Sequence, residues 1–522
     1  MNLSAQHQVP RPALATYQAP YRVPLLASLM LVLTLLQGTS FTLTLAVRSP
    51  FAGDLPVTLV TLLWLVMYLT SAVALLASFG LNWLTWLVRY RLALILVVAG
   101  TAFSTAWSVD PNLTIERSVH LIGTTLLAIY LGFSLPLSQI LRISATTLGL
   151  LMFGSALAAW FMPSLGLEQY EGQLVWAGIT ASKNTLGFWS AITALLLSSL
   201  CFWPISTARR VTCLILIVPA LLCLYFSVSA TSALALICAT LVMLYLHTTR
   251  SLRMGMLSMS VLGLLVAALL AMAFSYIDTA ELIGRSGDLT GRGDVWQQTW
   301  QLILDRPLTG YGYGTLWYPT DDSVWIQQSL TDFSWTVFHA HNGLLQIASE
   351  IGLPLTALAV FMIVQQLIEL FHCQYQRPFP GVLFALGFMI ALLVSNYSEA
   401  RLLVNRELYW ILFVTLPISM LQQVTLSSSL TRSQTPAFGL PGDMPGKLAK
   451  SRERTRQRRS LKKRLLLQRR PVIMNNDDDE SVLPLTDSQG QPLLALDKGT
   501  TRSEEDSAGQ GIPATRNDAR SQ

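Results

Sequence analysis

Long apolar runs recur along this chain, each closed by a short polar or basic turn, from residue 23 to residue 424. Crossing the ~30 Å hydrocarbon core of a bilayer takes ~20 apolar residues in a helix. The windows 23–46, 55–79, 91–107, 118–135, 140–161, 184–206, 211–226, 232–248, 255–276, 342–368, 380–396 and 407–424 predict about twelve spans. The expected class is therefore an all-α polytopic membrane protein. One polar island interrupts the series: a large loop at 277–341, between the ninth and tenth spans. The expected division is an N-terminal segment 1–22, a membrane domain 23–424 and a tail 425–522.

Composition supports this pattern. Hydrophobic residues make up 52% of the chain, charged residues 12%, and the mean hydropathy is +0.49, whereas soluble domains carry about 25% charged residues. Charge then sets orientation, because basic residues collect on the cytoplasmic side. With the N-terminus inside, the inner turns hold Arg89, Arg91, Arg142, Arg209, Arg210, Arg250, Arg253 and Arg377. The outer loops gather Asp54, Asp110, Glu116, Glu168, Asp278, Asp288, Asp294 and Asp305. Both termini are therefore expected in the cytoplasm and the large loop outside. The first apolar run is too long for a signal-peptide core and lacks a small-x-small cleavage site after it, so it is expected to be retained. The five cysteines, Cys201, Cys213, Cys223, Cys238 and Cys373, lie in spans or at the inner face, which points away from a disulfide framework or a zinc motif. The net charge of +6 comes mostly from the tail. A basic stretch from Lys447 to Arg470 is followed by Asp477-Asp478-Asp479-Glu480. Such a tail is expected to be disordered and to lie on anionic lipid. Without interleaved aromatics or a folded platform, nucleic-acid binding is not expected.

The candidate chemistry is concentrated outside. His341, in His339-Ala340-His341-Asn342, stands where the loop ends and a span begins. An imidazole there suits a proton acceptor near neutral pH, with capping or metal ligation as the competing readings. His339, two residues earlier, would point elsewhere in an extended segment. The pair alone is a poor ligand set, so no metal is expected. Arg285 and Arg292 in the large loop, and Arg401 in the last outer loop, offer rigid forks that suit phosphate oxygens. Pairing with Asp288, Asp294 or Glu399 is the alternative. Lys183, the one lysine before residue 447, precedes a helix start; it either snorkels or shares an anion with the dipole end. Glu350, inside the following span, is costly in lipid unless it faces protein or water. The loop tryptophans Trp296, Trp300, Trp317, Trp325 and Trp335 suit either sugar stacking or an interfacial belt.

The strings Gly291-Arg292-Gly293-Asp294-Val295-Trp296, Arg306-Pro307-Leu308-Thr309-Gly310-Tyr311-Gly312-Tyr313-Gly314 and His341-Asn342, with Gly352 beyond, resemble the O-antigen ligase / Wzy-type polysaccharide polymerase superfamily. Lys183-Asn184-Thr185-Leu186-Gly187, Ser227 to Ser232, and Glu399 followed by Trp410 look most like its exopolysaccharide polymerase branch. The resemblance covers residues 25–424. It implies a GT-C-like, metal-independent glycosyltransferase of the bacterial inner membrane that works without a cofactor at the periplasmic face. The implied donor is an undecaprenyl-diphosphate-linked glycan, the acceptor another glycan, and a chain-length regulator is an expected partner beside the membrane lipids. His341 and Arg292 take the family's catalytic positions. Lys183, Arg285 and Arg401 are expected at the diphosphate, with Asn342, Glu350, Asp294 and Glu399 in support. Many ligases carry an arginine in a short outer loop where this chain reads Ser229-Ala230-Thr231-Ser232. That departure favours a polymerase over a ligase acting on lipid A-core or protein. A transporter is the rival of another class, but neither an obvious internal repeat nor many buried charges are evident.

Overall fold

The computed structural model describes residues 24–48, 57–170, 172–203, 205–249, 292–318, 337–376 and 379–434. The expected N-terminal segment, the span at 255–276, Arg285, Trp325, Trp335 and nearly all of the tail lie outside the described residues. The chain divides into residues 1–436 and 437–522, and only the first unit is described.

The apolar windows fold as helices, since backbone polar groups in lipid must be satisfied within the segment. In chain order these are α1 (Leu25–Gly38), α2 (Phe41–Arg48), α3 (Val57–Phe79), α4 (Asn82–Tyr90), α5 (Leu92–Phe103), α6 (Pro111–Ser134), α7 (Leu137–Phe161) and α8 (Pro163–Gly166). They continue with α9 (Lys183–Cys201), α10 (Thr207–Phe226), α11 (Ala230–Thr249), α12 (Arg292–Asp305), α13 (Gly343–Gln376), α14 (Pro380–Ser398) and α15 (Leu408–Gln434). Among the described residues, seven helices are long and apolar enough to cross a membrane, or eight if the α4–α5 pair, bent by 100°, counts as one span. The chain is thus a mostly helical, multi-pass membrane protein.

One departure from the all-α expectation is a hairpin, β1 (Leu167–Tyr170) antiparallel to β2 (Gln173–Trp176), with Leu167 opposite Trp176. Its four-residue strands are too short to leave a periodic signal in the sequence. Trp176 seats it by stacking on Phe226 at the end of α10.

Helix pairs meet through small and hydroxylated residues, as expected where lipid supplies no hydrophobic drive between helices. Trp410 Nε1 donates to Thr125 Oγ1 (2.9 Å), Thr415 Oγ1 to the Ala128 carbonyl (3.0 Å) and Ser419 Oγ to the Leu135 carbonyl (2.7 Å), locking α15 to α6. At the opposite end of the chain's charge pattern, Arg91 is held by Glu369 through two bonds of 2.9 and 2.6 Å.

A break in α13 positions the loop that precedes it. Gly352 adopts φ 78°, a conformation that side chains with a Cβ rarely take, and Pro354 follows within the helix. The amide of Leu353, freed by the break, donates to the Pro307 carbonyl (2.8 Å). Tyr311 and Gly312 donate to the Ser349 and Glu350 carbonyls (3.0 and 2.9 Å). A Cβ on Gly352 would strike the Leu308 backbone, and one on Gly310 would strike that of Glu350. The Gly/Tyr run is therefore a backbone-to-backbone clasp on α13. Its other side is tied to the start of α6: Val109 donates to the Tyr311 carbonyl (3.0 Å), and Thr114 Oγ1 to that of Tyr313 (3.2 Å).

Candidate functional site

The histidine turn enters α13. Asn342 caps the helix, its Oδ1 accepting from the amides of Leu344 (3.0 Å) and Leu345 (3.1 Å). His341 sits at φ 49°, in the left-handed region where histidine is tolerated better than most side chains. The segment is therefore curled rather than extended. This overturns the expectation that His339 would point elsewhere: the two imidazole centroids lie 3.9 Å apart, and the His341 amide donates to His339 Nδ1 (3.1 Å).

Glu399, at the end of α14, joins that turn to the start of α9. Its Oε2 lies 3.5 Å from His339 Nε2, and its Oε1 accepts from Asn184 Nδ2 (3.1 Å). The carboxylate is buried, at 8% exposed. Next to it, Ser398 Oγ donates to Thr231 Oγ1 (3.0 Å), while Gly187 leaves room for Ser227 and Ser229. Three segments that are far apart in sequence, 183–187, 227–232 and 398–401, thus converge on the histidine turn. Of the five positive-φ residues other than glycine among the described residues, four (Val228, His341, Leu403 and Arg406) fall in or beside these segments. Strained backbone of this kind persists where surrounding structure holds it, and it clusters at functional sites.

His339, His341 and Glu399 place one ligating atom each within 4.8 Å of one another, close enough to hold a metal ion. In this geometry His339 Nδ1 accepts from the His341 amide, which leaves Nε2 to carry the ring proton of the neutral imidazole, toward Glu399.

The other expected site residues are distributed as follows. Arg292 opens α12, the helix that Asp294 begins with an acid in its first turn, favourable at the positive dipole end. Trp296 on the same helix meets Tyr397 edge-on, ring centroids 5.4 Å apart, which sets α12 beside the Glu399 loop. Lys183 is 7% exposed, with Nζ 3.5 Å from the Tyr170 ring centroid. Its amide donates to Glu168 Oε2 (3.0 Å), so a carboxylate of the protein's own hairpin occupies the dipole end of α9. Arg401 is buried, its Nη1 donating to Tyr409 Oη (2.6 Å) and its guanidinium packed over the Tyr409 and Phe188 rings. Arg306 lies over the Tyr311 ring at 4.6 Å. Glu350 is 4% exposed and faces protein, behind the Gly/Tyr clasp.

Asn184 and Arg117 were not among the expected site residues. Asn184 lay inside a quoted motif, and its polarity at a helix entrance was the available signal. Arg117 stacks on Tyr318 at 3.7 Å, its stem crossing Gly314 where any side chain would collide with it. Nothing local in the sequence couples residues 117 and 314.

Residues 214–360 match a family model described as O-Antigen ligase, a stretch containing Arg292 and His341. The chain is also 26% identical over 357 residues to the "Exopolysaccharide production protein ExoQ" of Rhizobium meliloti (strain 1021), covering 61% of this chain and 77% of that protein. The resemblance drawn from the motifs is borne out by both matches.

Proposed function

From these similarities to membrane proteins of the O-antigen ligase and exopolysaccharide type, we propose that the protein polymerises undecaprenyl-diphosphate-linked glycan repeat units at the periplasmic face of a bacterial inner membrane. In the transfer, an acceptor hydroxyl oxygen bonds to the donor's anomeric carbon. The bond from that carbon to the phosphate oxygen breaks, and the electron pair leaves with the diphosphate. His341 receives the hydroxyl proton, and Arg292, which opens α12, supplies positive charge to the leaving group in this scheme. Lys183, Arg285 and Arg401 remain proposed contributors to the positive field, Arg401 through its buried charge. Positioning and electrostatics carry this scheme without a metal or cofactor.

The single observation supporting it best is the His339–Glu399–Asn184 chain, which ties the imidazole turn to the end of α14 and the start of α9. Glycan analysis of a deletion strain tests the reading. Single lipid-linked repeat units are expected to accumulate, and a plasmid copy should restore polymer. Accumulation of long lipid-linked chains would instead identify a ligase. Unchanged polymer in the deletion strain would overturn both.

A further inference from the structure

A small, open cleft lies beside the histidine turn, lined by Arg117, Trp317, Tyr318, Phe338, Glu350 and Asn405. Its mouth and floor differ in character. Phe338 and Tyr318 at the mouth are 59% and 44% exposed, whereas Glu350 on the floor is buried at 4%. Gln346 also lines it, and its Oε1 accepts from the Ala340 amide (3.4 Å), so the cleft wall and the turn bearing His341 are hydrogen-bonded together. Phe338 precedes His339 directly in the chain.

The chemistry of this lining is selective. A purely lipid-facing groove would have an apolar floor, because a carboxylate, an amide and a guanidinium are costly against hydrocarbon. A site for an inorganic anion alone would have no use for exposed aromatic faces. A sugar ring matches both halves. Its C–H face lies flat on an aromatic ring, and its hydroxyls need planar donors and acceptors such as Asn405, Gln346, Glu350 and Arg117. Arg117 covers the Tyr318 ring at 3.7 Å, which fixes that ring as a rigid platform and leaves the guanidinium edge available for hydroxyls.

We infer that this cleft, formed by Arg117, Tyr318, Phe338, Glu350 and Asn405, is a carbohydrate subsite that holds an acceptor sugar next to His341. The inference rests on the proposed glycosyl transfer but needs no catalysis to be tested. Gly314 is part of it: φ 76° and the absence of a Cβ let the Arg117 stem cross the Gly/Tyr run to reach Tyr318.

The test is calorimetric titration of the full-length protein in lipid nanodiscs with short oligosaccharides released from the strain's polymer by mild acid. No lipid diphosphate is added, so no transfer takes place. Wild type is expected to bind. Phe338→Ala and Asn405→Ala should each weaken binding about tenfold or more, and Phe338→Tyr should restore it to within about twofold of wild type. The exposure of Phe338 makes its removal safe for the fold. Wild-type affinity in Phe338→Ala and Asn405→Ala would overturn the subsite, as would no binding to wild type. Neither result touches the catalytic proposal, which fails instead if His341→Asn still makes polymer.

Discussion

Replacing His341 with asparagine is expected to abolish polymer while leaving the protein in the membrane at wild-type abundance. A positioned general base contributes about 10²–10⁴-fold to a rate. A polymer of many repeats compounds the loss at every transfer, so chains of normal length should vanish entirely. Asparagine is the informative replacement because the backbone at this position is left-handed, φ 49°. Asparagine accepts that conformation, whereas alanine adds about 1–2 kcal/mol of strain and would confuse folding with chemistry. Asparagine also preserves a polar group at the entrance to α13 but has no basic nitrogen. Silver-stained or blotted glycan from cells carrying each variant reads the result, with membrane abundance measured on the same samples. Full-length polymer in His341→Asn would remove this imidazole from the reaction.

Glu399→Ala is expected to have the second-largest effect. The carboxylate joins His339 Nε2 to Asn184 Nδ2 from a buried position. Its removal takes the shared acceptor from two half-buried polar groups. Freed from Glu399, the His339 ring no longer restrains the His341 amide that bonds to it, and the neighbouring imidazole drifts. A displacement of about 1 Å at a reacting group costs about 100-fold in rate. Polymer should fall steeply, with repeat units still bound to their lipid. Glu399→Gln keeps an acceptor for Asn184 but not the negative charge facing His339, so it should fall between Ala and wild type. Equal activity in all three proteins would reduce Glu399 to an ordinary buried acid.

Much of the architecture could be read from the apolar windows, because a membrane span is specified locally by length and hydropathy. The windows at 55–79, 140–161 and 380–396 correspond closely to α3, α7 and α14. The candidate residues His341 and Glu399 were also visible, as ionisable groups where spans meet polar loops. Their connection was not. Glu399 reaches His339 across a large separation in sequence, and no periodicity encodes a tertiary hydrogen bond. The curl at His341 was hidden for a related reason: nothing in His-Ala-His-Asn requires a left-handed residue, and the close approach of Gly343 to Asn396 beside it exists only in the fold. Lys183 shows a local signal answered by an element the sequence did not announce. The helix start did call for an anion, but Glu168 of the unforeseen hairpin supplies it from within the chain. The Gly/Tyr run read as a family signature, and its physical reason appeared only with Gly352, whose break in α13 offers the backbone groups that the run grips.

The arrangement of the site and the side it faces can be measured together. Thr231 Oγ1 and Ser398 Oγ are 3.0 Å apart, beside Glu399. In a protein lacking its five native cysteines, Thr231→Cys with Ser398→Cys should form a disulfide in growing cells without added oxidant, since thiols oxidise in the periplasm and stay reduced in the cytosol. Mass spectrometry of the bridged peptides reads the bond. Two reduced thiols in the folded double variant would mean that these segments lie apart or face the cytosol, and either outcome contradicts the account.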